Sequence, residues 1–248
     1  MRTLRIPALL LGLLLAAAGG ARADDTPQAL IDKAIKAHGG AEKINKERAT
    51  QSKSKGTLEL GGSSLAFTSE SSLYAGKFKE AMELDVNGQK VMVTTVYDGT
   101  KGWVKANDQL MELNDKLLDE MKEAVYLNQL GRLVFLKDKS VELSPLGEVK
   151  VNDRPAVGVR IVSKGHRDLN LYFDKETGLM AKMERQAFDT MTQQMVQEER
   201  IMQEYQVVDG MKVAKKVRVN RDGKKFMEAE VLEVKFSDKL DDSEFAKP

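Results

Sequence analysis

KFKEAMELDVNGQKVMVTTVYDGTKGW, residues 77–103, is the stretch from which the fold class follows. Phe78, Met82, Leu84 and Val86 share one parity, the period of two that sends alternate side chains to one face of a strand. Asn87-Gly88 and Asp98-Gly99 then supply glycines for the positive φ of tight hairpin turns, so the strands they join are antiparallel neighbours. Upstream, Leu65, Phe67 and Leu73 share a parity after Gly61-Gly62, and alternation runs from about Arg48 to Leu113. Downstream, the pattern predicts strands over Val141–Leu143, Val149–Val151, Val157–Ser163, Leu169–Phe173, Leu179–Phe188, Thr192–Val207, Met211–Asn220 and Phe226–Phe236. Asn152-Asp153, Asp209-Gly210 and Asp222-Gly223 mark turns among them.

Helical signals interrupt this meander in two places. Thr26 is a cap and Pro27 suits a first helical position, with Leu30, Ile31, Ala34 and Ile35 on one face before Gly39-Gly40 stops the helix. A brief turn over Ala41–Lys46 sets Ile44 beside that face. Between Asn114 and Leu136 the period is helical again, with Asn114 as cap and a stripe of Leu117, Leu118, Met121, Ala124 and Val125. The result is a mainly β chain of about eleven meandering strands, too many to stay flat. They are expected to curl into a barrel or half-barrel with the helices on its concave side. No proline-rich linker, low-complexity tract or strong repeat divides the chain, which predicts one domain from about Asp24 to Pro248.

Met1–Ala23 has the form of a secretory signal: Arg2 and Arg5, an apolar run from Ile6 to Ala18, and Ala21-Arg22-Ala23 before Asp24. The uncharged stretch from Ile6 to Ala21 is shorter than the roughly 20 residues that span a bilayer. The segment carries three arginines and no acid, so the remainder holds 36 bases against 38 acids. No overall positive field favours nucleic acid. Export, most simply to a periplasm, with no later membrane span is the expectation. The chain contains no cysteine, which excludes disulfides, a thiolate nucleophile and cysteine metal sites.

Catalytic signatures are scarce. His38 and His166 are far apart and neither has a second His four residues on, which fails the helical zinc spacing; they read as structural or surface residues. Gly61-Gly62-Ser63-Ser64-Leu65 lacks the closing glycine of a nucleophile elbow and reads as a hairpin turn. Neither glycine-rich nucleotide loop is present. Glu198-Glu199 and Asp241-Asp242 are expected on solvated faces. The late methionines Met180, Met183, Met191, Met195, Met202 and Met211 have three readings: core filler, an adaptable apolar pocket, or thioether ligands for a soft metal. No cofactor is expected, and no metal is assigned.

Three stretches resemble the periplasmic lipoprotein carriers of the LolA and LolB family. Leu73-Tyr74-Ala75-Gly76-Lys77-Phe78-Lys79 resembles that family's R-P-x-x-F-R segment, and Tyr97-Asp98-Gly99-Thr100-Lys101-Gly102-Trp103 its D-G-x-x-x-W turn. Phe173-Asp174-Lys175-Glu176-Thr177-Gly178-Leu179 resembles its D-x-x-T-G-L hairpin. Ala37-His38-Gly39-Gly40 and the ending from Val208 to Phe245 are similar to less studied members. The resemblance implies an open, curved antiparallel half-barrel whose helix-covered concave face holds acyl chains, with envelope lipoprotein-export components as partners. The family arginine implicated in closure and cargo release aligns with Tyr74, and the adjoining proline with Ala75. That departure bears on shuttling between partner complexes, not on apolar binding.

Phe67, Phe78, Met82, Leu84 and Trp103, with Leu117 and Met121 on the helix, are the candidates for an acyl-chain cavity wall; ordinary core packing is the competing reading. The leading expectation is a non-enzymatic periplasmic carrier or binder of lipid or lipoprotein acyl chains, acting in envelope lipoprotein sorting. An envelope-stress regulator or protein-interaction module on the same fold is the alternative. A hydrolase would need a constellation that the sequence does not display.

Overall fold

The computed structural model describes residues 26–46 and 48–248, and the predicted leader lies outside them. Thr26 caps the first helix, α1 (Pro27–Ala37): its hydroxyl accepts the Ala29 amide at 3.2 Å, and Pro27 sits in the first turn, where a missing N–H costs nothing. His38 closes α1, and after Gly39-Gly40 comes α2 (Ala41–Lys46), as the pattern predicts.

A first meander follows: β1 (Ala49–Leu60), β2 (Ser63–Tyr74), β3 (Lys77–Val86), β4 (Gln89–Tyr97), β5 (Gly102–Ala106) and β6 (Gln109–Glu112). The long helix α3 (Asp115–Gly131), capped by Asn114, leads to a second. That meander comprises β7 (Val141–Val151), β8 (Arg154–Ser163), β9 (Leu169–Asp174), β10 (Met180–Asp189), β11 (Gln194–Val208), β12 (Met211–Arg221) and β13 (Lys224–Ser237). All thirteen strands form one antiparallel sheet in the order β6-β5-β4-β3-β2-β1-β13-β12-β11-β10-β9-β8-β7. The first and last strands are neighbours at its centre, Ala49 opposite Ser237, and α3 joins the two free edges. The sheet is an open, curved half-barrel.

Part of the difference from the expected eleven strands can be traced to particular residues. Two hairpins turn at Ala75-Gly76 and Asn107-Asp108, where Ala75 (φ 49°) and Asn107 (φ 51°) take the left-handed conformation without the Asn-Gly or Gly-Gly signature. Conversely, the segments predicted separately at Val141–Leu143 and Val149–Val151 are one strand, β7, with an irregularity between Pro145 and Gly147. As an edge strand β7 tolerates a residue that cannot donate to a ladder. The other edge, β6, is only four residues long, which limits unwanted pairing. The helix predicted to reach Leu136 ends at Gly131, because Leu133 adopts φ 61° and hands the chain to a 3-10 turn, Val134–Lys137.

The main core lies where the helices cover β8–β12. Ile31, Ala34 and Ile35 of α1 and Leu127 and Leu130 of α3 pack on Ile161, Leu169, Leu171, Phe173, Met180 and Met183. Burying each of these Ile, Leu, Phe and Met side chains contributes roughly 1.5–3 kcal/mol. A small second cluster of Val96, Trp103 and Phe245 holds the C-terminal 3-10 turn, Asp242–Phe245, against the first meander. No helix among the described residues is long and apolar enough to cross a membrane.

Candidate functional site

Between the concave face of the sheet and the helical cover lies a cavity of about 870 Å³. Its sheet wall comes from both meanders: Leu73 and Phe78 on β2 and β3, and Met180, Met183, Met202 and Val217 on β10–β12. Leu127 and Phe135 close it from α3 and the following turn. Strand register places these groups. Leu73 pairs with Phe78, and Met183, Arg200 and Val219 are in register across β10–β12, so one face of the sheet carries the wall.

The sequence candidates separate on this geometry. Phe78 lines the cavity. Met82 and Leu84 share its parity on β3, nearer the Asn87-Gly88 turn, and are not lining residues. Phe67 pairs with Gly56, which has room for its ring because a Cβ there would lie 2.9 Å from it. Trp103 pairs with Val96, which pairs with Lys79, so it occupies the opposite face from Phe78 and packs under Phe245. Leu117 and Met121 are half-buried on the first half of α3, whereas Leu127, Asn128, Gln129 and Gly131 of its second half and the capping Arg132 supply the lining.

The methionines divide likewise. Met180, Met183 and Met211 are buried in the main core, and Met180, Met183 and Met202 also border the cavity. Met191 and Met195 are exposed. Core filling and pocket lining thus coincide, since the cavity abuts the core.

Polar lining escaped the periodicity reading: His38, Arg48, Arg132, Arg200, Tyr205 and Lys212 all reach the cavity. Arg200 and Lys212 lie in alternating strands and look like a solvated face, and His38, Arg48 and Arg132 lie at or between element ends, so only the tertiary arrangement brings them together. His38 Nδ1 donates to the Ala34 carbonyl at 2.8 Å, which leaves Nε2 as its acceptor, and burial holds its pKa below the ordinary value. Tyr205 donates to the Met180 carbonyl at 2.6 Å, and burial pushes its phenol up.

One expectation is overturned at Glu198. The sequence predicts a solvated face for Glu198-Glu199, yet Glu198 is 2% exposed and meets Arg185, Arg200 and Arg221 at 3.1 Å each. Its parity on β11 points it inward, and the arginines of β10, β11 and β12 make that burial tolerable. Burial pushes the carboxyl up, but the charges of Arg200, Arg185 and Arg221 prevail and hold it down to about 2.

The network extends to the helical cover. Glu120 of α3 accepts from Arg185 at 2.7 Å, Arg167 at 2.5 Å and the Phe188 amide at 3.1 Å. One turn on, Glu123 meets His166 Nδ1 at 3.0 Å, and Tyr126 stacks on the His166 ring with centroids 3.4 Å apart. These contacts latch α3 to the sheet rim. Replacing Glu120 with Ala is expected to raise amide exchange across the first half of α3 by about tenfold or more, as local opening loses at least one charged hydrogen bond. Hydrogen exchange read by mass spectrometry checks it; unchanged protection there would show that the latch does not hold the cover.

Of the family-like motifs, Leu73, Tyr74, Ala75, Gly76 and Phe78 of the first line the cavity, whereas the D-G-x-x-x-W and D-x-x-T-G-L stretches build turns away from it. Asp98 Oδ1 accepts the amides of Thr100 and Lys101, both at 2.7 Å, and Gly102 lies so close under Leu113 that a Cβ would meet it at 2.5 Å. Asp174 Oδ1 accepts the Thr177 amide and hydroxyl at 2.8 Å while Arg154 grips both carboxylate oxygens. Gly178 takes φ 73° against Lys33 and Ala37 of α1. The D-x-x-T-G-L stretch therefore seats α1 on the sheet.

Fold and site together define a half-barrel that holds a partly apolar cavity under a helical cover. The chain resembles a DUF1329 family protein from Desulfovibrio piger, 16% identical over 90% of this chain and 98% of that one, with a TM-score of 0.54. It also resembles a LolA superfamily protein from Nitrosomonas europaea, 10% identical over 90% and 98% of the two chains, TM-score 0.54. A third likeness is to an outer membrane lipoprotein-sorting protein domain from Vibrio parahaemolyticus, 12% identical over 88% and 97%, TM-score 0.51. No family model and no curated protein matches the sequence. The fold is LolA-like.

Proposed function

We propose that this protein is a non-enzymatic periplasmic carrier or binder of lipid or lipoprotein acyl chains, acting as a single domain from about Asp24 to Pro248. The observation that carries the reading is the cavity: about 870 Å³, walled by Phe78, Leu73, Val217 and three methionines, under a helix joined to the sheet rim by polar contacts. That volume falls within the roughly 300–1,000 Å³ of small-molecule sites. Each methylene moved from water into such a wall contributes about 0.8 kcal/mol, so a chain burying ten gains on the order of 8 kcal/mol without any directional recognition. Unbranched methionine side chains suit a guest of no fixed shape. The lipoprotein-sorting description of a protein sharing this fold supports the same class of cargo.

Native mass spectrometry of protein purified from its own periplasm is expected to find co-purifying lipid, and the delipidated protein is expected to take up a fluorescent fatty acid. A clean apo mass together with no uptake would overturn the proposal.

A further inference from the structure

Four cations reach the cavity, and no acidic residue is found among its described lining residues. Arg200 lies on β11 and is paired with Glu198. The other three converge on the corner between α1 and α2. Arg132, which caps α3, donates to the carbonyl of Ile44 in α2. The Lys212 amide donates at 3.1 Å to the carbonyl of His38 at the end of α1. Arg48 follows α2 and leads into β1. Arg48 and Lys212 have no ion-pair partner among the described residues, and both are exposed at the cavity mouth. Arg48 and Arg132 line the same cavity, and burial first, then the Arg48 charge, keeps the Arg132 guanidinium below its ordinary range.

Arg48 and Lys212 are like charges at one half-enclosed mouth, and an anion between them removes their repulsion while accepting charge-assisted hydrogen bonds. Beyond the mouth the wall turns apolar at Leu73, Phe78, Met183 and Val217. Resting on the acyl-chain reading above, we infer that the ligand is an anionic amphiphile: its phosphate or carboxylate headgroup sits among Arg48, Arg132 and Lys212, and its chain runs along Phe78 and Met183. The cations select the headgroup, and the wall accepts chains without selecting among them.

The test is equilibrium binding of three probes to the purified delipidated protein: a lysophosphatidate, the monoacylglycerol with the same chain, and inorganic phosphate. The lysophosphatidate is expected to bind at least about tenfold tighter than the monoacylglycerol, the factor one charge-assisted hydrogen bond supplies. Inorganic phosphate alone is expected to bind far more weakly than the lysophosphatidate. In the double variant Arg48→Gln, Lys212→Gln, whose folding is checked by circular dichroism, the ratio of the two lipid affinities should fall toward one. Equal lipid affinities in the unsubstituted protein, or a ratio unmoved in the variant, overturn headgroup selection and leave the acyl-chain reading standing. Inorganic phosphate binding as tightly as the lysophosphatidate assigns the cations to a free anion and also overturns it. Binding of neither lipid defeats both readings.

Discussion

Phe78→Glu is expected to lower affinity for a fluorescent fatty acid by about a hundredfold or more while costing less than about 2 kcal/mol of stability. The asymmetry comes from where the ring stands. Phe78 is half-buried and faces the cavity, so in the empty protein a carboxylate there stays in contact with water. Once an acyl chain arrives, that charge loses its hydration to hydrocarbon, and the penalty of several kcal/mol falls on the bound state alone. A hundredfold loss corresponds to roughly 2.7 kcal/mol, well inside that penalty. Phe173, fully buried in the main core, supplies the contrast: Phe173→Ala should cost about 3–5 kcal/mol of stability because it leaves an internal void. Titration of the fatty acid beside urea unfolding of both variants settles the matter. If Phe78→Glu loses stability as heavily as binding, the ring is core and not cavity wall.

The second large effect belongs to Glu198. Glu198→Gln removes the one carboxylate shared by Arg185, Arg200 and Arg221, leaving guanidiniums packed together with less compensation, and about 3 kcal/mol of destabilisation is expected. Acid has the same effect on the unsubstituted protein. The folded carboxyl titrates at about 2, below its ordinary 4.5, so its stabilising contribution is fully present above pH 4.5 and is lost as pH falls toward 2. That contribution is on the order of 3 kcal/mol. Urea unfolding at stepped pH should show the difference between unsubstituted protein and Glu198→Gln shrinking across this window. Asp174, held well below the usual carboxylate range chiefly by Arg154, titrates in both proteins and cancels in the comparison. A difference below about 0.5 kcal/mol at neutral pH would mean that the network contributes nothing net.

Legibility varied with the kind of signal. Caps were plain: Thr26 and Asn114 bond the amides that their positions predict, and α2 spans the expected residues. Hairpins at Asn87-Gly88, Asp209-Gly210 and Asp222-Gly223 were announced by residues that accept positive φ, whereas Ala75-Gly76 was not, because alanine at φ 49° has no reason in its own chemistry to be there. Parity grouped Phe78 with Met82 and Leu84, yet only the first reaches the cavity. Trp103 looked equivalent because a single strand's alternation does not say which of its two faces is concave.

Local chemistry thus sufficed for the strand-rich class, the capped helices, the turn motifs and the LolA-like likeness, since each depends on φ, hydrogen bonds or side-chain parity within a few residues. Which aromatic residues share a wall, why Glu198 is sunk beneath three arginines, and how Arg48, Arg132 and Lys212 converge are settled elsewhere. Those contacts join residues far apart in the chain, and they exist only because β1 pairs with β13 and α3 returns across the open sheet. Pairing and curvature are collective properties, and no single segment contains them.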